Sequence, residues 1–143
     1  MTDVEEEPVE AGPTPQCTGF HHVALSVRDL EVSSAWYERV FDLDIVMDED
    51  GEARAARVYR LARTETMFGV VQHGANDGAP FGPERTGLDH LAFDVATRAD
   101  VDAWATRLDL LGIAHSGAID VPTGAILNFA DPDGIQLSIF WER

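Results

Sequence analysis

One stretch of this chain occurs twice. Gly19-Phe20-His21-His22-Val23-Ala24-Leu25-Ser26-Val27 returns as Gly87-Leu88-Asp89-His90-Leu91-Ala92-Phe93-Asp94-Val95 at a constant offset of 68 residues. Gly, His, Ala and Val are identical at matched places, and the other apolar positions stay apolar. Each copy alternates like a strand with one buried face. A helical pattern follows each copy. The first runs over about Leu30–Phe41, anchored by Trp36, Tyr37, Val40 and Phe41; the second runs over about Ala99–Leu111, anchored by Val101, Trp104, Leu108 and Leu111. Asp29 and Asp100 stand where N-caps would help, and Gly112 where a helix would stop.

Three short strands complete each half. They are expected at about Asp44–Asp48, Ala55–Leu61 and Thr66–His73, then at about Ala114–Ile119, Ala125–Ala130 and Gln136–Trp141. Asp50-Gly51 is a hairpin signal, and Asp131-Pro132-Asp133-Gly134 is a strong turn. A period of 68 residues is too long for a solenoid repeat. The expectation is an α+β fold of two tandem βαβββ modules forming a curved mixed sheet around a central cavity. Module one covers about 18–77 and module two about 86–142, with a linker around 74–86.

The chain of 143 residues is long enough for one domain with a real core. Residues 1–17 hold five acids, no base and three prolines, and read as a disordered acidic tail; the folded domain is expected over 18–143. The single cysteine, Cys17, excludes a disulfide framework and a cysteine-based zinc site. No apolar run is long enough to span a membrane, and no secretory signal opens the chain, so a cytoplasmic location is expected. Acids outnumber bases 26 to 10, for a net charge of −16. Such a surface repels nucleic acid and anionic membranes, and it could attract a cationic small molecule.

Alternation sets the direction of each side chain. Val23, Leu25 and Val27 share a face that should pack on the first helix, leaving His22, Ala24 and Ser26 on the other. In the repeat, Leu91, Phe93 and Val95 face the helix, while His90, Ala92 and Asp94 face away. In the last strand Leu137, Ile139 and Trp141 belong to the core, and Gln136, Ser138 and Phe140 face the other way. Small residues beside a histidine suggest a concave cavity. A twofold relation between the halves would bring His22 and His90 together in it. Trp36 and Trp104 read as core, His21 as structural and His115 as a surface residue.

The strings GFHHVALSVRDLEVSSAWYERVF, GLDHLAFDV and ADPDGIQLSIF resemble the vicinal oxygen chelate superfamily, which includes glyoxalase I, extradiol dioxygenases, methylmalonyl-CoA epimerase, fosfomycin-resistance enzymes and bleomycin-resistance proteins. The resemblance covers about residues 18–142. It implies metal ligands at His22 and His90. The family's last-strand carboxylate falls on Ser138, and a fourth-strand glutamate falls at or beside Gly69, so both anionic ligands are missing. His73, toward the lip of the fourth strand, is a substitute candidate. The remaining cavity candidates are Ala24, Ala92, Asn128 and Phe140.

Two functions follow from the resemblance. One is a glyoxalase- or dioxygenase-like enzyme, a metal-dependent lyase, isomerase or dioxygenase. Its two-His site would hold iron, manganese, nickel, cobalt or zinc, acting as a Lewis acid on a vicinal-oxygen substrate. The other is a metal-free protein that binds or sequesters a small molecule, as bleomycin-resistance proteins do. No organic cofactor is expected. Relatives of this fold pair as twofold dimers, so a homodimer is expected.

Overall fold

The computed structural model describes residues 10–143. Residues 1–9 of the expected tail lie outside the described residues; residues 10–17 form no helix or strand and are exposed. The elements in chain order are β1 (His22–Ser26), α1 (Leu30–Val40), β2 (Leu43–Glu49), β3 (Arg54–Leu61), β4 (Met67–His73), β5 (Leu91–Asp94), α2 (Arg98–Leu110), β6 (His115–Val121), β7 (Gly124–Ala130) and β8 (Gln136–Glu142). This is the tandem βαβββ fold read from the repeat, α+β in class. The strands form two four-stranded mixed sheets, ordered β1-β4-β3-β2 and β5-β8-β7-β6. In both, the first and last strands of the module run parallel and the remaining pairs antiparallel.

Local chemistry sets the helix ends. Asp29 is extended, and its carboxylate accepts from the Val32 amide, satisfying one orphan donor at the start of α1. Phe41 is extended too, so α1 stops one residue before the expected end and Phe41 turns into the core. In α2 the cap is Thr97 rather than Asp100. Thr97 accepts from the Asp100 amide, and the Asp100 carboxylate reaches back to the Thr97 amide at 2.9 Å. That reciprocal pair is a capping box, with the acid at its third position. Gly112, at φ 70°, ends α2 in the left-handed region.

The alternation places the apolar faces as read, and both sheets turn them to one shared core. Leu25, Val27, Tyr37, Val40, Phe41, Phe68 and Val70 of the first module pack with Phe93, Val101, Leu108, Leu127, Phe129, Leu137 and Ile139 of the second. Phe41 and Phe93 lie 4.5 Å apart between ring centroids, and Phe68 and Phe93 5.7 Å. Trp36, Trp104 and Trp141 are partly buried against this core.

Polar clamps join the modules at the Asp131–Gly134 turn. The buried Tyr37 hydroxyl donates to Asp131 Oδ2 at 2.9 Å, and the Arg28 Nε donates to Asp133 Oδ1 at 2.6 Å. Asp131 Oδ1 accepts from the amides of Asp133 and Ile135. Burial raises the Asp131 pKa above the usual carboxylate range, and these donors offset part of that rise. Burial, with the neighbouring Asp131, also pushes the Tyr37 phenol up. His115 is not simply a surface residue: its side chain is 12% exposed and its Nε2 lies 2.6 Å from Asp109 Oδ1 at the end of α2. Among the described residues, no helix is long and apolar enough to cross a membrane.

Candidate functional site

Because both helix-facing sides close on one core, the faces that carry His22 and His90 point away from it. Among the described residues their strands are sheet edges: β1 bonds only to β4, and β5 only to β8. His22 opens β1 as expected; His90 stands one residue before β5. Both are exposed.

The register relates the two positions at which the resemblance expects carboxylates. Ala24 pairs with Gly69 across β1 and β4, and Ala92 pairs with Ser138 across β5 and β8. The partners on the next strands are Val58 and Asn128. Gly69 and Ser138 therefore hold the same place in the two modules, two residues along from the level of each histidine. Neither is anionic. A Cβ on Gly69 would meet the Arg57 carbonyl oxygen at 3.2 Å and Val58 Cγ2 at 3.4 Å, so a larger residue there needs its neighbours to give slightly. Ser138 is buried, and its hydroxyl donates to Asn128 Oδ1 at 2.8 Å.

The candidate residues divide between two hollows. His90, Asn128 and Ser138 line one of about 350 Å³, together with Asp89 and Ile126. His22 and Ala92 line a groove of about 670 Å³ along the edges of β1 and β5, floored by Met67, Phe68, Leu91 and Phe93. Within one chain, then, the two histidines are not brought together. Phe140 lies between Asp94 and Ile126 on the outer face of the second sheet. His73 is exposed at the far end of β4, six residues beyond the Met67 that pairs with His22. That is about 20 Å along a strand, too far to share an ion with His22.

Each histidine has a different neighbour. His22 Nδ1 lies 2.8 Å from Nδ1 of His21, which serves as its hydrogen-bond partner. His90 Nδ1 lies 2.6 Å from Asp89 Oδ1. A carboxylate at that distance favours the proton on Nδ1 and leaves Nε2 as an acceptor toward the site. Sequence reasoning passed over Asp89, although it stands beside His90 where His21 stands beside His22.

These donors do not fit a resident divalent metal. The imidazoles of His22 and His90 carry no negative charge to offset a dication, the Ser138 hydroxyl that lines the His90 hollow is already engaged with Asn128, and the Asp89 carboxylate in that hollow is turned to His90 Nδ1. Among the described residues, no three His, Cys, Asp or Glu side chains converge within the chain.

Comparison with known proteins accords with the fold. The family model described as Glyoxalase/Bleomycin resistance protein/Dioxygenase superfamily matches residues 19–139. The uncharacterized protein YaeR of Escherichia coli (strain K12) is 31% identical over 132 residues, which cover 84% of this chain and 93% of the relative. A solved glyoxylase/bleomycin resistance protein/dioxygenase domain from Frankia sp. EAN1pec superposes with a TM-score of 0.82 at 31% identity, covering 90% of this chain and 100% of that one. A mutant of the fosfomycin resistance protein FosX from Listeria monocytogenes, solved with Mn(II) and a dihydroxypropylphosphonic acid, shares the fold with a TM-score of 0.66 at 18% identity, covering 87% and 90%.

Proposed function

Since the chain belongs to the glyoxalase/bleomycin resistance protein/dioxygenase superfamily, we propose that it is a small-molecule-binding member working without a resident metal, its site completed when two copies pair. The observation that carries this reading is the loss of negative charge at both matched positions. Gly69 and Ser138 occupy the same place in the two modules, and the Ser138 hydroxyl is committed to Asn128. What remains is a pair of imidazoles on open, partly apolar faces, suited to hydrogen-bonding a small molecule.

Pairing is supported by the strand edges. Among the described residues β1 and β5 each keep one unpaired edge beside a partly apolar groove that Glu65 and Asp94 also line, an arrangement that invites another strand. Laying β1 of one copy against β5 of a second would continue one sheet into the other. The His22 face of one chain would then meet the His90 face of its partner. Metal analysis of untagged protein tests the metal-free reading. We expect less than about a tenth of an equivalent per chain and no gain on adding iron, manganese, cobalt, nickel or zinc. A full equivalent, removed by His22→Ala with His90→Ala, would overturn it.

One observation favours an enzyme within this reading. Asp89 engages Nδ1 of His90, an orientation that turns Nε2 to accept a proton as a general base does. An enzyme of that kind would lose most of its turnover on Asp89→Asn while still binding its ligand.

A further inference from the structure

Arg60 is the unusual cation of this acidic chain. Most of its other arginines are committed. Arg28, Arg54, Arg57, Arg63 and Arg98 pair with carboxylates. Arg107 donates to the carbonyls of Arg39 and Val40 at the end of α1, Arg85 donates to the Pro80 carbonyl, and Arg143 lies over the Trp141 ring. Arg39 is exposed on α1. Arg60 is half-buried, and among the described residues its guanidinium meets no carboxylate and no carbonyl. Its Nε is buried without a hydrogen-bond partner, and its Nη2 lies 3.8 Å from Met67 Sδ. A buried donor left unmet costs stability unless something supplies the missing acceptor.

The position says what that something touches. Arg60 pairs with Met67 across β3 and β4, and Met67 pairs with His22 across β4 and β1. The three side chains share one row on the outer face. Arg60 Nη2 approaches Met67, the middle residue of that row, while Asp44 is its register partner on β2 and, among the described residues, forms no ion pair with it. Two strand spacings separate Arg60 from His22, about 10 Å, the reach of a small molecule touching both. Between them lies the apolar thioether of Met67. The guanidinium fork matches the paired oxygens of an oxyanion, and no basic residue stands at the equivalent place in the second module, which holds Ala130.

We propose that Arg60 holds the oxyanion group, a carboxylate, phosphate or phosphonate, of the small molecule that fills the His22 face. The ligand is then an anion despite the chain's net charge of −16. The surface charge acts through screened solvent, whereas a partly desolvated guanidinium acts at contact.

Three probes of one size decide it on the full chain: phenylphosphonate, benzoate and benzylammonium, titrated by calorimetry with chemical shifts read at Met67 and His22. We expect saturable binding of at least one anion and none of the cation. Arg60→Gln should weaken the anion about tenfold or more, and Arg39→Gln should leave it unchanged. Arg60→Lys, which keeps charge but loses the fork, should weaken it several-fold and covers the case in which Arg60→Gln does not fold. Binding of benzylammonium alone, or of neither anion, overturns the proposal. The proposal rests on the metal-free reading, and the two fail differently. Anion binding lost after chelation and dialysis overturns that reading and this proposal with it. Anion binding that survives chelation and is indifferent to Arg60→Gln overturns the role of Arg60 alone.

Discussion

The two modules share a backbone plan and have diverged in what they place on it. On the inner side, module one supplies Arg28, Ser33 and Tyr37 to the turn of module two. At the offset of 68 residues, module two has Ala96, Val101 and Ala105 instead, which can make no such contacts. On the outer side, module one sets His22 in a row with Met67 and Arg60. Module two sets His90 beside Asp89 and above the Ser138–Asn128 pair. The modules share the apolar positions that build the fold and differ at the polar ones. One face came to hold a cation, the other a carboxylate-oriented imidazole.

The inner asymmetry can be broken at its centre. Asp131→Ala removes the acceptor for the Tyr37 hydroxyl and for two backbone amides, all buried. It should cost roughly 2–4 kcal/mol in denaturant unfolding. Asp131→Asn, which keeps an acceptor and escapes the desolvation that raises this group's pKa, should cost much less. A difference of under about 0.5 kcal/mol between the two variants would show that the clamp does not carry the inter-module contact.

Alkali should act through module one alone, because both tyrosines of the chain, Tyr37 and Tyr59, lie in it. Burial, with a bond to Glu38 opposed by nearby groups, pushes folded Tyr59 up to about 12 from 10.0. A phenol raised in the folded state contributes stability fully below pH 10 and loses it as pH climbs toward 12. Thermal melts should therefore fall through that window. The register makes Phe129 the counterpart of Tyr59, so Tyr59→Phe gives module one what module two already has and should make the decline shallower, leaving the part that the raised Tyr37 phenol contributes. Unchanged pH dependence would place the loss elsewhere.

The outer edges are where the modules should meet between copies. Sedimentation equilibrium should give twice the 15.6 kDa of one chain. Ala92→Asp places a charge in the groove beside β5 and should weaken association about tenfold, ~1.4 kcal/mol, without lowering the melting temperature of the monomer. A monomer in the unmodified protein would contradict the shared site.

How much of this was legible follows from sequence distance. The repeat, the strand faces and the turns are local patterns, and they read correctly because alternation survives any packing. The Thr97 cap was legible too, in the Thr-x-x-Asp spacing, but Asp100 is itself a favourable cap type and drew the assignment. Arg28 and Tyr37 meet Asp133 and Asp131 across 105 and 94 residues, a contact that no periodicity encodes. The parting of His22 and His90 was hidden for the same reason. Alternation fixes which face a histidine takes, but not whether two sheets turn those faces toward each other or away. Arg60 was one arginine of ten until its neighbours showed that it alone is half-buried on the histidine face and, among the described residues, meets no carboxylate or carbonyl.

In the proposed reading, His22 and His90 stand where the resemblance expects metal ligands, with Gly69 and Ser138 in place of the anionic partners. Metal uptake measured side by side on the unmodified chain and on folded Ser138→Glu tests that most directly. Under about a tenth of an equivalent is expected for the first and a clear gain for the second, lost again with His90→Ala. A full equivalent in the unmodified chain, unaltered by Ser138→Glu, would contradict it.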